Sequence, residues 1–439
     1  MNVTSTQVVI AAQAPQPNSK WAFSNVDLNL FPVVLRGTWI FDHQLDGKDL
    51  QQGLSTLLSY YPHLAGRMKG RKIVLSNQGV LFICASNPAL SREDLRKDHS
   101  LAKRVSAPLS RIKIMLGESA SMSVKLTMLK DGSVLSVRCS HACMDGFSFY
   151  TMMSDWGKIC RGIDIDPPII DQAVFPTFSN SKKDEAKSKA QAQGWYGISL
   201  SGLFRMLWLV SSGKAVSRSR PYYFSPDMID KMKQELSEDD NKPFSSNTVL
   251  AALLANWLSS LLKHTDDTEC SMTMVVDCRQ RVACFPNKFI GNASSVLSFS
   301  IANANAGLKE VAESIHAALS RLRDPSSSAF SDQYWLLSEL IYHRVTLMPC
   351  NVTEAFSKQP REYYLNNFTR FPIYEVDFSH GEPVLVIPHN LPDPVLIWPA
   401  PPEKGGFEVY LTGSLNIALI ESEPQLRRIT FGELAVDSI

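Results

Sequence analysis

The chain has 439 residues, 44% of them apolar and 20% charged, which is long for a single core and suits two globular domains. Its 44 basic residues balance 43 acidic ones to a net charge of +1, which argues against a broad basic surface for nucleic acid or an anionic membrane. No apolar run is long enough for a transmembrane helix, and the opening residues lack a charged-then-apolar leader.

The eight cysteines include no CxxC pair, so free thiols in a reducing, cytoplasmic setting are expected. The four Asn-X-Ser/Thr sequons, at Asn2, Asn292, Asn351 and Asn367, read as chance matches in that setting.

In chain order, residues 33–41 read as a strand and 50–61 as a helix closed by Pro62. Residues 71–84 form two strands about Ser76-Asn77-Gln78-Gly79. Residues 122–129 and 133–139 flank Lys130-Asp131-Gly132, a hairpin signal, and a helix follows over 146–160. The stretch 178–193 is polar, shows no core face and reads as an exposed linker. The apolar run 197–210 behind it, interrupted by Arg205, fits either a packed crossover or an interfacial helix in peripheral membrane contact. Ser246 is placed to cap a helix with an apolar stripe at Leu250, Leu253, Leu254, Trp257, Leu258, Leu261 and Leu262. Strands at 272–277 and 295–302, a helix at 308–322 and short strands from 383 onward complete a mixed α/β chain. It has no GxGxxG or GxxxxGK loop.

The chemistry concentrates at Ser140-His141-Ala142-Cys143-Met144-Asp145-Gly146. A strand rich in β-branched residues ends at Cys139, and a histidine at a rigid strand tip can project into a cleft. Its near-neutral pKa suits proton abstraction from an alcohol or amine. The spacing alone is equally satisfied by a core histidine followed by a helix-capping aspartate. The nine histidines form no HExxH, and GxSxG is absent, so neither a metal centre nor a serine nucleophile is expected. Cys143 reads as packing.

Four landmarks stand in a telling order. They are Leu58-Ser59-Tyr60-Tyr61-Pro62-His63-Leu64-Ala65-Gly66-Arg67, the HxxxDG run from His141 to Gly146, Val276-Asp277-Cys278-Arg279-Gln280-Arg281 with Phe289-Ile290-Gly291-Asn292, and Asp377-Phe378-Ser379-His380-Gly381. Together they make the chain resemble the BAHD acyltransferases over nearly its whole length. The last landmark departs from the family's DFGWG: Ser379 stands for glycine and His380 for tryptophan.

The resemblance implies a two-domain α/β fold like chloramphenicol acetyltransferase, with mixed β-sheets flanked by helices and a channel between the domains. Its boundaries would be 1–177 for the domain carrying HxxxD, 178–220 for a crossover linker and 221–439 for the domain carrying DFSHG. It implies acyl transfer from acyl-CoA, a co-substrate with no permanently bound cofactor and no metal, to a small alcohol or amine. His141 would be the general base. Asp145, paired with an arginine, and Gly146 would shape the loop, and Asp377 would bond Arg279. Lys242, Ser245 and Ser246 would hold CoA phosphates. Phe368 and Thr369 would line the acceptor side. No nucleic-acid partner is implied, and the family's usual state is a monomer. Two other readings stay open at this point: a donor carried on an acyl carrier protein, and a non-catalytic CoA-binding relative.

Overall fold

The computed structural model describes residues 1–197, 221–236, 244–261, 270–279, 281–282, 285–301, 307–321, 328–349, 362–388 and 395–411. The apolar run at 198–210 and Lys242 lie outside the described residues. The chain forms two compact units. Unit 1 comprises Met1–Thr177, Ala283–Ala293 and Phe371–Asn390, and unit 2 comprises Phe178–Val282, Ser294–Arg370 and Leu391–Ile439. Unit 1 therefore draws two segments from beyond residue 220.

Two six-stranded sheets organise the units. Their strands, in chain order, are β1 (Asn2–Val9), β2 (Val34–Phe41), β3 (Val80–Asn87), β4 (Met122–Leu129), β5 (Ser133–Ser140), β6 (Tyr222–Phe224), β7 (Cys270–Asp277), β8 (Ser294–Ile301), β9 (Glu362–Asn367), β10 (Leu385–Ile387), β11 (Val395–Pro399) and β12 (Phe407–Leu411). Unit 1 holds the order β1-β3-β4-β5-β2-β10, in which only β3 and β4 are parallel. Unit 2 holds β6-β12-β11-β9-β7-β8, in which β9 runs parallel to both β7 and β11. Both sheets are mixed, as expected of the fold class.

The principal helices are α1 (Asn25–Leu30), α2 (Gly47–Tyr60), α3 (Gly146–Cys160), α4 (Lys183–Ala192), α5 (Pro226–Leu236), α6 (Ser246–Leu261), α7 (Leu308–Arg321) and α8 (Ala329–Tyr342). α2 buries Leu50, Gly53, Leu54, Leu57 and Leu58, the i, i+3, i+4 stripe of a helix with one apolar face. Asp46 caps it by accepting from the amides of Lys48 and Asp49. The stripe packs against α3, whose Trp156 donates its indole N–H to the Leu50 carbonyl at 3.2 Å. α3 in turn covers Trp39 of β2, whose ring lies 5.9 Å from Phe149 and 6.0 Å from Tyr150. Each such fully buried leucine is worth about 1.5–3 kcal/mol, so this layer fixes where β5 ends and α3 begins.

The exposed linker expected at 178–193 is corrected by the structure. Residues 183–192 form α4, with Ala186 and Ala190 at 1% and 0% exposure. They pack with Trp195 against Leu336 and Leu340 of α8. Two alanines at i and i+4 make a narrow apolar stripe that polar neighbours hide in the sequence. The helix at 246 also starts differently from the expectation. Ser245, not Ser246, caps it by accepting from the Thr248 amide at 3.1 Å.

Candidate active site

The hairpin joining β4 to β5 delivers His141 to the first position after β5. Its backbone is pinned there by donation from the His141 amide to the Val33 carbonyl at 3.0 Å. Asp145 lies at the N-cap of α3, where one carboxylate oxygen accepts from the Ser148 amide at 2.9 Å. The other accepts from the Ala293 amide at 3.0 Å. The Asp145 amide donates to the Gly291 carbonyl at 3.1 Å, and Ser148 exchanges two hydrogen bonds with Gly291. The HxxxD aspartate thus clamps the segment 291–293 onto the start of α3. A Cβ at Gly291 would lie 2.7 Å from the Phe289 ring, so glycine is what lets that segment close in. Gly146 is the first residue of α3 and is not among the left-handed glycines.

The clamp places Asn292 against His141. The Asn292 amide nitrogen donates to the Asp27 carboxylate at 2.7 Å and to the His141 carbonyl at 2.8 Å. Both are acceptors, so the nitrogen must face them and the amide oxygen must face the imidazole. That oxygen lies 3.0 Å from His141 Nδ1. An acceptor at Nδ1 requires a proton on Nδ1, which leaves the lone pair on Nε2. Burial pushes the His141 pKa below its ordinary value, opposed by a backbone hydrogen bond, the Asp145 charge and Asn292. The ring is therefore neutral at physiological pH and can accept a proton on Nε2. The residue is partly exposed.

Asp27 closes the chain of contacts from the far side. It is wholly buried and belongs to the capping box of α1, its carboxylate accepting from the Ser24 amide at 2.7 Å. Burial raises its pKa to about 6, against the lowering effect of hydrogen bonds from Asn292 and Ser24. Neither Asp27 nor Asn292 stood out from the sequence as a site residue. The signals were present, since Ser24-x-x-Asp27 is a capping-box pattern and Asn292 closes one of the landmark segments.

Asp377 occupies a loop of unit 1. Its carboxylate pairs with Arg161 at 3.4 Å and accepts from the amides of Ser379 at 2.8 Å and Gly381 at 3.0 Å. The resemblance implied Arg279 as its partner; the partners the structure gives Asp377 are these three, all within its own unit. Ser379 has φ 83, a left-handed backbone that suits the glycine it replaces. His380 is exposed, its ring 5.6 Å from that of His43.

The other expected site residues lie in unit 2. Arg279 is 2% exposed and pairs with Asp277 at 2.9 Å. The Ser245 hydroxyl caps α6 and exchanges a hydrogen bond with Thr248, and Ser246 is the first helical residue. Phe368 is 3% exposed and packs on Trp398, with ring centroids 5.4 Å apart. The Thr369 hydroxyl donates to Asn367 Oδ1 at 2.7 Å. Among the described residues there is no group of three or more His, Cys, Asp or Glu side chains able to hold a metal ion, and no helix is long and apolar enough to cross a membrane.

A model of the Transferase family matches residues 1–425. The shikimate O-hydroxycinnamoyltransferase of Nicotiana tabacum is 25% identical over 439 residues, covering 93% of this chain and 95% of its own. The omega-hydroxypalmitate O-feruloyl transferase of Arabidopsis thaliana is 23% identical over 398 residues, covering 84% of this chain and 80% of its own. Among solved structures, vinorine synthase superposes with a TM-score of 0.68 at 17% identity, covering 95% of this chain and 97% of its own. F. graminearum TRI101, complexed with coenzyme A and T-2 mycotoxin, superposes with a TM-score of 0.70 at 15% identity, covering 93% and 98%.

Proposed function

This chain belongs to the Transferase family, the BAHD acyltransferases, and from that premise we propose that it moves an acyl group from coenzyme A to a small hydroxyl or amine acceptor with His141 as general base. One observation carries the assignment: the orientation of the Asn292 amide, forced by its two acceptors, protonates His141 on Nδ1 and leaves Nε2 as the basic atom. Nε2 takes the proton from the acceptor as its oxygen or nitrogen attacks the thioester carbonyl. The tetrahedral intermediate then collapses with cleavage of the carbon–sulfur bond. The imidazolium returns its proton to the departing CoA thiolate, so the histidine ends as it began.

General base action of this kind is worth roughly 10²–10⁴-fold in rate. Positioning two bound reactants adds on the order of 7–11 kcal/mol. The CoA-bound relatives among the solved structures support free acyl-CoA as donor. The phosphates of CoA fall to Lys242, Ser245 and Ser246, and Thr369 serves the acceptor side. Phe368 supports it from the core. The same reading makes the enzyme a cytoplasmic monomer, which sizing in solution and localisation of a tagged chain would check.

The test is a donor-by-acceptor screen with mass detection. It begins with acetyl-, malonyl-, benzoyl- and hydroxycinnamoyl-CoA and includes acyl carrier protein donors as a parallel arm. Acyl-CoA turnover that collapses in His141→Ala supports the reading. Unchanged turnover in that variant overturns the base, transfer only from carrier protein overturns the donor, and CoA binding without transfer to any acceptor overturns catalysis.

A further inference from the structure

One face of the unit 1 sheet is covered by α3; the other is apolar at one end, where Ile40, Leu129, Val134 and Leu385 pack with Leu95 and Val105, and polar toward the other end. Alternation along β2 and β5 puts Leu35, Trp39, Leu135 and Cys139 toward one side and Arg36, Thr38, Ser136 and Arg138 toward the other. Arg36 and Arg138 are direct cross-strand neighbours, an arrangement that like charges disfavour. A third arginine, Arg111, begins the short helix Arg111–Met115, donates to the Pro32 carbonyl at 2.6 Å and is near enough for its charge to act on both Arg36 and Arg138.

None of the three arginines has an ion pair among the described residues. The Arg138 side chain donates to the Ala107 carbonyl at 3.2 Å, and the Arg36 side chain has no hydrogen-bond partner among the described residues. The Nε atoms of Arg36 and Arg138 are buried without a partner. So is the hydroxyl of Ser140, a residue 1% exposed that stands two positions beyond Arg138 on the same face. Burial lowers the Arg138 pKa to about 10, helped by repulsion from Arg36 and Arg111. Burial lowers Arg36 too, helped by repulsion from Arg111. Lys125 extends the face, its ammonium donating to the Arg104 carbonyl at 3.4 Å.

Partly buried guanidiniums in mutual repulsion, with unpartnered donors on one sheet face, lack a counter-charge. A multiply charged oxyanion supplies it, because guanidinium forks match phosphate and carboxylate oxygens. We propose that Arg36, Arg111, Arg138 and the Ser140 hydroxyl form a binding site for the phosphate or carboxylate group of a small anionic ligand, on the sheet face opposite α3. Ser140 adjoins His141, so the site borders the imidazole along the chain. The inference concerns binding and does not depend on the acyl-transfer reading.

The experiment titrates the full-length chain calorimetrically with pyrophosphate and with citrate at constant ionic strength, with sodium chloride as the control. Saturable binding is expected, weakened about tenfold or more in Arg36→Gln and in Arg138→Gln, and unchanged in Lys189→Gln, an exposed residue of unit 2. Because Arg36 has no bond to lose, Arg36→Gln is also expected to melt no lower than wild type in anion-free buffer, which keeps a folded test variant in hand. Tighter binding of pyrophosphate assigns a phosphorylated ligand, and tighter binding of citrate a polycarboxylate. Dilution heats alone from both anions, or binding retained within twofold in both arginine variants, overturns the site.

Discussion

Asn292 and His141 hold each other at two points: the imidazole Nδ1 donates to the amide oxygen at 3.0 Å, and the amide nitrogen donates to the His141 carbonyl at 2.8 Å. The first contact sets the tautomer and the second sets the loop, so one side chain fixes both the tautomer and the position of the imidazole. Asp27 keeps the amide from turning over, since a flipped amide would set its oxygen against a carboxylate.

Replacing Asn292 by alanine is expected to lower kcat about 10–100-fold, the loss of one hydrogen bond to a group that becomes charged, worth roughly 1.5–3 kcal/mol. KM for acyl-CoA should change little. Steady-state kinetics on both substrates check this; a defect confined to KM would show that the contact serves binding instead.

The pH profile of kcat/KM carries a sign. The proposed base works when neutral, and burial lowers the His141 pKa beneath the usual histidine value of 6.5. Activity should therefore hold flat as pH falls through 6.5 and decline only below the depressed value. An acid limb centred above 6.5 would contradict the burial of His141.

Stability has its own pH dependence, centred on His63. That ring is fully buried, stacked 5.0 Å from Trp21, and neither nitrogen has a partner among the described residues. Burial lowers its pKa from 6.5 to about 3. The unfolded chain then binds the proton first, so stability is lost as pH falls from 6.5 toward 3, by on the order of 4–5 kcal/mol at the limit. Asp27 works in the opposite direction: its pKa is raised from 3.8 to about 6, so its unfavourable charge is relieved as pH falls through that window. His63→Leu should flatten the acid loss of melting temperature, whereas Asp27→Asn should steepen it. Parallel slopes for wild type and His63→Leu between pH 7 and 4 would remove His63 from the account.

Ser379 carries the strain of a left-handed residue with a side chain, φ 83. Ser379→Gly should stabilise the chain by about 1 kcal/mol, offset in part by the greater freedom glycine gives the unfolded state. Denaturant titration reads the difference; a lower midpoint would mean that the weak Ser379 hydroxyl contact with the Cys160 carbonyl, 3.4 Å, outweighs the strain.

Asp145→Ala should cost about 2–4 kcal/mol, combining a lost helix cap with an orphaned buried amide at Ala293. Turnover should fall with it, because the freed segment carries Asn292. Full activity at unchanged stability would dissociate the clamp from the site.

Local pattern made much of this protein readable before folding. The Lys130-Asp131-Gly132 turn announced the β4–β5 hairpin, and the stretch 146–160 behind it read as the helix that became α3. Landmark spacing set the family and made His141 the residue to examine. These signals are short-range: turn chemistry, caps and side-chain period all act within a few residues.

Tertiary structure alone decided the rest. Asn292 meets His141 across 151 positions and Asp27 across 265, and Arg161 meets Asp377 across 216. No periodicity encodes a hydrogen bond whose ends are brought together by sheet order. The buried alanines of α4 and the orphaned guanidiniums opposite α3 escaped notice for a related reason. A small side chain or a surface-type cation carries no sign of its burial until the chain that covers it is in place.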